Sequence, residues 1–225
     1  MQPEIILYPN SQWANLSARY VQSVVSKKSE LKERFNVMLT GGRSAERLMR
    51  AWAELPEFEH MYNVDFFFGD ERCVPPAHED SNFGLAMRTL FRVGIPKGCD
   101  VHRIEAESSD KDLAAKRYSE LLPDSIDLLL LGVGEDAHIA SLFPGSAALH
   151  EARKVVAVAG PKTSEERMTI TPVVIRQSEY IVVLASGEGK RAPLRDVLQS
   201  SSSVEQCPAR LAKHATWLID FDQSA

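Results

Sequence analysis

The residues with chemistry to offer in this sequence fall in three short polar segments, each at the end of a strand-like apolar run. The richest is GVGEDAHIASLFPG, residues 132–145. Its small residues and its Asp-x-His, set directly after a run of leucines, are hard to explain by packing. His138 reads as a general base, because an imidazole that titrates near neutrality takes a proton from water as that water attacks a carbonyl. Asp136 or Asp70 would orient the ring. Leu142 and Phe143 read as packing residues, and Pro144-Gly145 as the stop of a short helix.

The second segment is TGGRS, residues 40–44. Gly41 and Gly42 allow positive φ and close approach of the backbone, and the helix N-terminus that follows offers free N–H groups and a partial positive charge. With Arg43 and Ser44 this makes a phosphate cradle; taken alone, the motif reads equally as a strand-to-helix turn that needs two glycines. The third segment, GDER, puts Asp70, Glu71 and Arg72 at a strand end. There the planar guanidinium of Arg72 would clamp phosphate or carboxylate oxygens in two parallel bonds, although the segment without context is also a plain solvated charge cluster. Arg167, which opens RMTITP, and Lys190, which follows SGEG, could each reach an anionic substrate or be ordinary surface cations. His60, His78, His102, His150 and His214 show no ligand-like spacing with cysteines or carboxylates, so no metal is expected.

Positioning three such segments together takes strands that all end on one side of a sheet. Strand-like runs at 4–8, 35–39, 64–68, 127–131, 154–159, 180–185 and 216–220 alternate with helical patterns, the signature of an α/β fold with a mostly parallel sheet and helices on both faces. Asn10 or Ser11 would cap a first helix with the apolar stripe Trp13, Leu16, Tyr20 and Val24. Further helices are expected over 45–52, after a Ser81 cap with Phe83, Ala86, Met87 and Leu90 on one face, and over 190–199. In such sheets ligands sit outside the carboxyl ends of the strands. All three polar segments fall there.

The composition sets outer bounds. A chain of 225 residues with 44% hydrophobic and 25% charged residues suits one domain spanning 1–225. A net charge of −5 gives no diffuse positive field for nucleic acid or acidic lipid, so any anion must be held by a local site. The three cysteines, Cys73, Cys99 and Cys207, lie far apart without a C-x-x-C pair and read as free thiols in a reducing compartment. The first residues lack the pattern of a secretory signal, and the longest apolar run, Ile126 to Val133, is far short of a membrane span. A cytoplasmic protein without nucleic-acid or membrane partners is expected.

Taken together, the segments resemble the 6-phosphogluconolactonase family over essentially the whole chain. LTGGRSAERLM is similar to that family's glycine-rich turn, VDFFFGDERCVPPAHEDSNFG to its DER block with a downstream SN pair, and LLLLGVGEDAHIASLFPG to its signature block. PKTSEERMTIT, VLASGEGKRAPL and WLID follow in order. The resemblance implies a Rossmann-like fold, His138 as catalytic base, and Gly41, Gly42, Ser44 and Arg72 on the phosphate side, with Arg167 and Lys190 after them. It implies a sugar-phosphate lactone as substrate and no cofactor; a monomer or weak dimer is expected. Two positions depart from the pattern: Ala137 stands where the family has glycine, and Ala45 where the phosphate turn has proline. If that glycine adopts positive φ, Ala137 carries strain of about 1 kcal/mol or more. The rival readings are a glucosamine-6-phosphate deaminase/isomerase and a non-catalytic sugar-phosphate sensor. The deaminases carry a glutamate where this chain has Phe143 and a tyrosine where it has Arg72, and both differences favour the lactonase.

Overall fold

The computed structural model describes residues 3–161, 165–199 and 201–221. The chain opens with β1 (Glu4–Pro9), α1 (Asn10–Ser29), β2 (Phe35–Leu39) and α2 (Arg43–Trp52). A short α3 (Pro56–Glu59) leads to β3 (Val64–Phe68), β4 (Asp70–Arg72), α4 (Asn82–Thr89), β5 (Asp100–Val101) and α5 (Lys111–Leu121). The second half holds β6 (Leu128–Gly132), β7 (Val155–Ala159), β8 (Glu166–Ile170), α6 (Pro172–Gln177), β9 (Tyr180–Ala185), α7 (Arg191–Gln199) and β10 (Thr216–Phe221).

Seven strands form one parallel sheet in the order β1-β10-β9-β6-β2-β3-β5. At its centre, Leu128 to Leu131 of β6 are buried on both faces, as the unbroken apolar run requires. From the β6–β2 pair the chain runs outward in both directions, through β3 and β5 on one side and β9 and β10 on the other. That pair is therefore the switch point of the sheet, and a crevice opens outside the carboxyl ends of its strands. The expected α/β sheet is what the chain forms.

The three tryptophans, Trp13, Trp52 and Trp217, are fully buried, and each indole N–H finds an acceptor. They donate to Leu218 O at 3.1 Å, Gln22 Oε1 at 2.6 Å and Ala212 O at 3.1 Å. The acceptor for Trp52 explains a correction to α1. Its buried face is Trp13, Ser17, Ala18, Val21, Gln22 and Val25, with Leu16, Tyr20 and Val24 only half-buried at its shoulder. Gln22 turns inward because the Trp52 indole needs an acceptor. The cap differs too: the helix starts at Asn10 after Pro9, and no side chain caps it.

Two further features depart from the sequence reading. GDER is more than the end of the third strand: Asp70–Arg72 is itself a strand of a second sheet, three-stranded and antiparallel, in the order β4-β8-β7. Helix α5 carries no strong periodic signal because two of its buried positions are the alanines Ala114 and Ala115, beside Tyr118. The Ser81 cap is as expected, accepting from Gly84 N at 3.0 Å, whereas the last helix starts at Arg191 after a 3-10 turn over Glu188–Lys190. Lys162 to Ser164 of the PKTSEERMTIT block and Ser200 lie outside the described residues. No described helix is long and apolar enough to cross a membrane, and all three cysteines are free thiols.

Candidate active site

Gly41 and Gly42 are glycines for different reasons. A Cβ on Gly41 would lie 1.8 Å from Asn82 Oδ1, so no side chain fits there. Gly42 has open space around it but sits at φ +88°, a backbone state that L side chains avoid, and it begins α2 without any side-chain cap. The first N–H groups of α2 therefore have no intrahelical partner, and the residues that carry them line the crevice. Thr40 links this turn to β6 by accepting from Gly132 N at 3.2 Å. Ser44 is buried against β9's end, its hydroxyl 3.4 Å from Ser186 O and 3.3 Å from Ser186 N. Arg43 is exposed and reaches Glu135 at 3.5 Å.

The DER segment is held rigidly from within. Buried Glu71 accepts from Arg72 N, Asn82 N and Phe83 N at 2.8, 2.7 and 2.8 Å and from Ser81 Oγ at 3.0 Å. Burial pushes its carboxyl above the usual carboxylate range, against the pull of those bonds. Glu71 thus caps α4 from a distance and fixes Arg72 beside it. Across the β4–β8 ladder, Arg72 faces Arg167. Like charges in register repel, and each guanidinium has a buried Nε–H without a partner among the described residues. An anion between them would relieve both defects.

The histidine segment is a turn cluster, not the short helix expected before Pro144. Isolated bridges join Val133 to Ile139 and Ile139 to Leu142, and Ala137 and Ala140 both adopt left-handed backbone at φ +63° and +48°. A Cβ on Gly134 would lie 2.0 Å from His138 Nδ1, so the second glycine of GVG exists to admit the imidazole. His138 Nδ1 lies 2.5 Å from Asp136 Oδ1, and this bond holds the Asp136 carboxyl below its usual range. A carboxylate at this distance favours the tautomer with the proton on Nδ1, which leaves the Nε2 lone pair free of Asp136. Asp70, the other candidate orienter, is not bonded to His138: its buried carboxylate accepts from Ser141 Oγ at 2.7 Å and Asn82 Nδ2 at 3.1 Å.

These parts converge on one cleft of about 270 Å³. Gly41, Gly42, Arg43, Ser44, Asp70, Arg72, His138, Arg167 and Lys190 all line it. Asp136 stands behind His138. Desolvation in its half-buried position lowers the Lys190 pKa, with Glu135 pulling the other way. The Phe143 ring lies tilted, 4.8 Å from the His138 ring and 5.7 Å from the Arg167 guanidinium, so it packs between the two. The sequence named Glu71 only as one charge of the GDER cluster and Asn82 only within the SN pair of the family block, and it gave no role to Ser141 or Ser186. A serine inside IASLFP carries no signal until its partner across the fold is known.

A sequence model of the family described as glucosamine-6-phosphate isomerases/6-phosphogluconolactonase matches residues 9–219. The 6-phosphogluconolactonase of Rattus norvegicus is 32% identical to this chain over 232 residues, covering 94% of it and 88% of that protein. The one from Haemophilus influenzae is 31% identical over 193 residues, covering 82% of each. Among solved structures, a 6-phosphogluconolactonase from Thermotoga maritima superposes with a TM-score of 0.84 at 25% identity, covering 98% of this chain and 100% of that one.

Proposed function

The chain belongs to the glucosamine-6-phosphate isomerase/6-phosphogluconolactonase family, and from that premise we propose that it hydrolyses 6-phospho-D-glucono-1,5-lactone to 6-phosphogluconate in the oxidative pentose phosphate pathway. The observation that carries this reading is the Asp136–His138 pair, 2.5 Å apart, in the same cleft as a helix N-terminus and four cations. The phosphate sits on the open N–H groups at the start of α2, beside Ser44 and Arg72, with Arg167 and Lys190 supplying further positive charge. Held there, the lactone presents C1 to the base, and this positioning turns a slow spontaneous hydrolysis into a fast one.

His138 Nε2 takes a proton from water as the water oxygen bonds to C1. Negative charge then develops on the carbonyl oxygen. The Gly134 N–H already donates to His138 O at 2.8 Å, so the oxyanion is met by a neighbouring cation or another N–H of the 132–136 turn. Asp136 stabilises the imidazolium, which returns its proton to the ring oxygen as the C1–O bond breaks. The products are a hydroxyl and a carboxylic acid, which ionises at neutral pH.

Phe143 speaks against the amino-sugar reaction, because the ring beside His138 offers no carboxylate to move protons during sugar-ring opening. The test compares two substrates. Chelator-treated protein should accelerate acid release from fresh 6-phosphogluconolactone at neutral pH and release no ammonia from glucosamine 6-phosphate. Replacing His138 with Asn should lower turnover roughly 100-fold or more while leaving 6-phosphogluconate binding intact. Lactone decay at the spontaneous rate combined with ammonia release would overturn the assignment, and wild-type turnover in His138→Asn would remove His138 from the mechanism.

A further inference from the structure

Ser141 ties the His138 segment to the second sheet by two hydrogen bonds. Its hydroxyl donates to Asp70 Oδ2 at 2.7 Å, and its backbone N–H donates to Thr169 Oγ1 at 3.1 Å. Asp70 and Thr169 are cross-strand partners in the β4–β8 ladder. The Thr169 hydroxyl is in turn committed to Ile170 O at 3.0 Å, which leaves its lone pair for the Ser141 N–H. Ser141 is therefore bolted by side chain and backbone to two facing positions of one ladder. It has no exposed surface, and Asp70 and Thr169 are buried with it.

The same ladder carries Arg72 opposite Arg167, two residues further along each strand. The base lies three residues before Ser141 and the arginine pair two residues beyond its anchor, so the anchor fixes the distance between them. A firm anchor is needed because Ala137 and Ala140 hold left-handed backbone that costs energy at non-glycine residues. Left free, the turn would relax and carry His138 with it.

We propose that Ser141 is a positioning residue, which sets the His138 imidazole against the substrate-binding arginines through its bond to Asp70, and that Asp70 acts through Ser141 and not on the substrate. This rests on the reading of His138 as general base. A displacement of about 1 Å at the base costs on the order of 100-fold in rate, so Ser141→Ala should lower kcat roughly 10- to 100-fold. The inhibition constant of 6-phosphogluconate should stay within about twofold, because the phosphate contacts remain.

Asp70→Asn separates this role from proton chemistry. An isosteric amide keeps Oδ1 for Asn82 and donates from Nδ2 to the Ser141 hydroxyl, so the anchor survives, yet it cannot exchange a proton. It should retain kcat within about threefold, the rescue expected of an anchor. The experiment measures kcat, KM and product inhibition for Ser141→Ala, Asp70→Asn and His138→Asn side by side. A loss in Asp70→Asn as deep as in His138→Asn would place Asp70 on the reacting atoms and overturn the proposal, as would wild-type kcat in Ser141→Ala or a product affinity that falls in step with kcat. If Ser141→Ala does not fold, Asp70→Asn alone decides. His138→Asn calibrates the assay: its failure to lose turnover sinks the base assignment, whereas its loss beside an unaffected Ser141→Ala sinks only the positioning role.

Discussion

His138 and Asp136 form one unit: the carboxylate lies 2.5 Å from Nδ1, and Nε2 is the nitrogen we propose to exchange the proton. The cations form another. Arg72 faces Arg167 across the ladder, and a charge-assisted contact to a phosphate adds binding that the ground state and transition state share. Arg72→Ala should therefore raise KM strongly with a smaller effect on kcat in steady-state assays. A fall confined to kcat would move Arg72 to the lactone end. Lys190 makes a pH prediction. Its pKa is lowered by desolvation, so the folded protein gives up this proton at lower pH than the unfolded chain, and stability rises as pH climbs between the two values. A bound phosphate favours the charged form and draws the proton back. Calorimetry of 6-phosphogluconate binding should thus show affinity falling on the alkaline side at a pH below the ordinary lysine range. Lys190→Arg, charged throughout, should flatten that fall, and an unchanged profile would exclude Lys190 from the phosphate.

At the level of elements, Glu71 ties β4 to α4 by answering orphan N–H groups at the helix start. Glu71→Gln puts an amide donor where at least one of those N–H groups needs an acceptor. Leaving a buried donor unsatisfied costs about 1–3 kcal/mol, or a Tm lower by roughly 2–12 °C for a chain of this size. Thermal unfolding followed by circular dichroism checks this. An unchanged Tm would mean that Ser81 alone suffices as the cap. The left-handed Ala137 has a milder consequence. Its strain of about 1–2 kcal/mol is partly offset by the extra unfolded-state freedom a glycine would bring, about 0.4–1 kcal/mol. Alanine is tolerated there because its methyl is buried and its carbonyl accepts from Ala209 N at 2.9 Å.

Across the whole molecule, the cleft lies where two sheets meet, the parallel one supplying the α2 N-terminus and His138 and the antiparallel one the arginine pair. A ligand that spans the cleft binds only when both are in place, so it stabilises the fold as a whole. At 100 times its Kd, 6-phosphogluconate should add about 2.7 kcal/mol, which raises Tm by roughly 5–10 °C. Gluconate, which lacks the phosphate, should give no comparable rise at the same concentration in a thermal-shift measurement. Equal shifts from the two would show that the grip is on the sugar acid and not on the phosphate.

The sequence by itself determined the parallel sheet, because period and apolar continuity are local properties: Phe35–Leu39, Val64–Phe68 and Tyr180–Ala185 have the expected bounds. It also marked Gly41, Gly42, Arg72, His138, Arg167 and Lys190 as candidates at strand ends and element margins, although the glycines also read as a turn and the cations as surface charge until the fold brought them to one cleft. Chain order cannot say which of two aspartates touches a histidine. Asp136 lies two residues from His138, whereas Asp70 meets Ser141 from seventy-one residues away. The tertiary structure alone assigned Asp70 to Ser141, Glu71 to α4, and Arg72 to a place opposite Arg167 in a second sheet. Each of these depends on long-range partners that bury charge and satisfy hydrogen bonds, and a single sequence holds no local trace of such pairings.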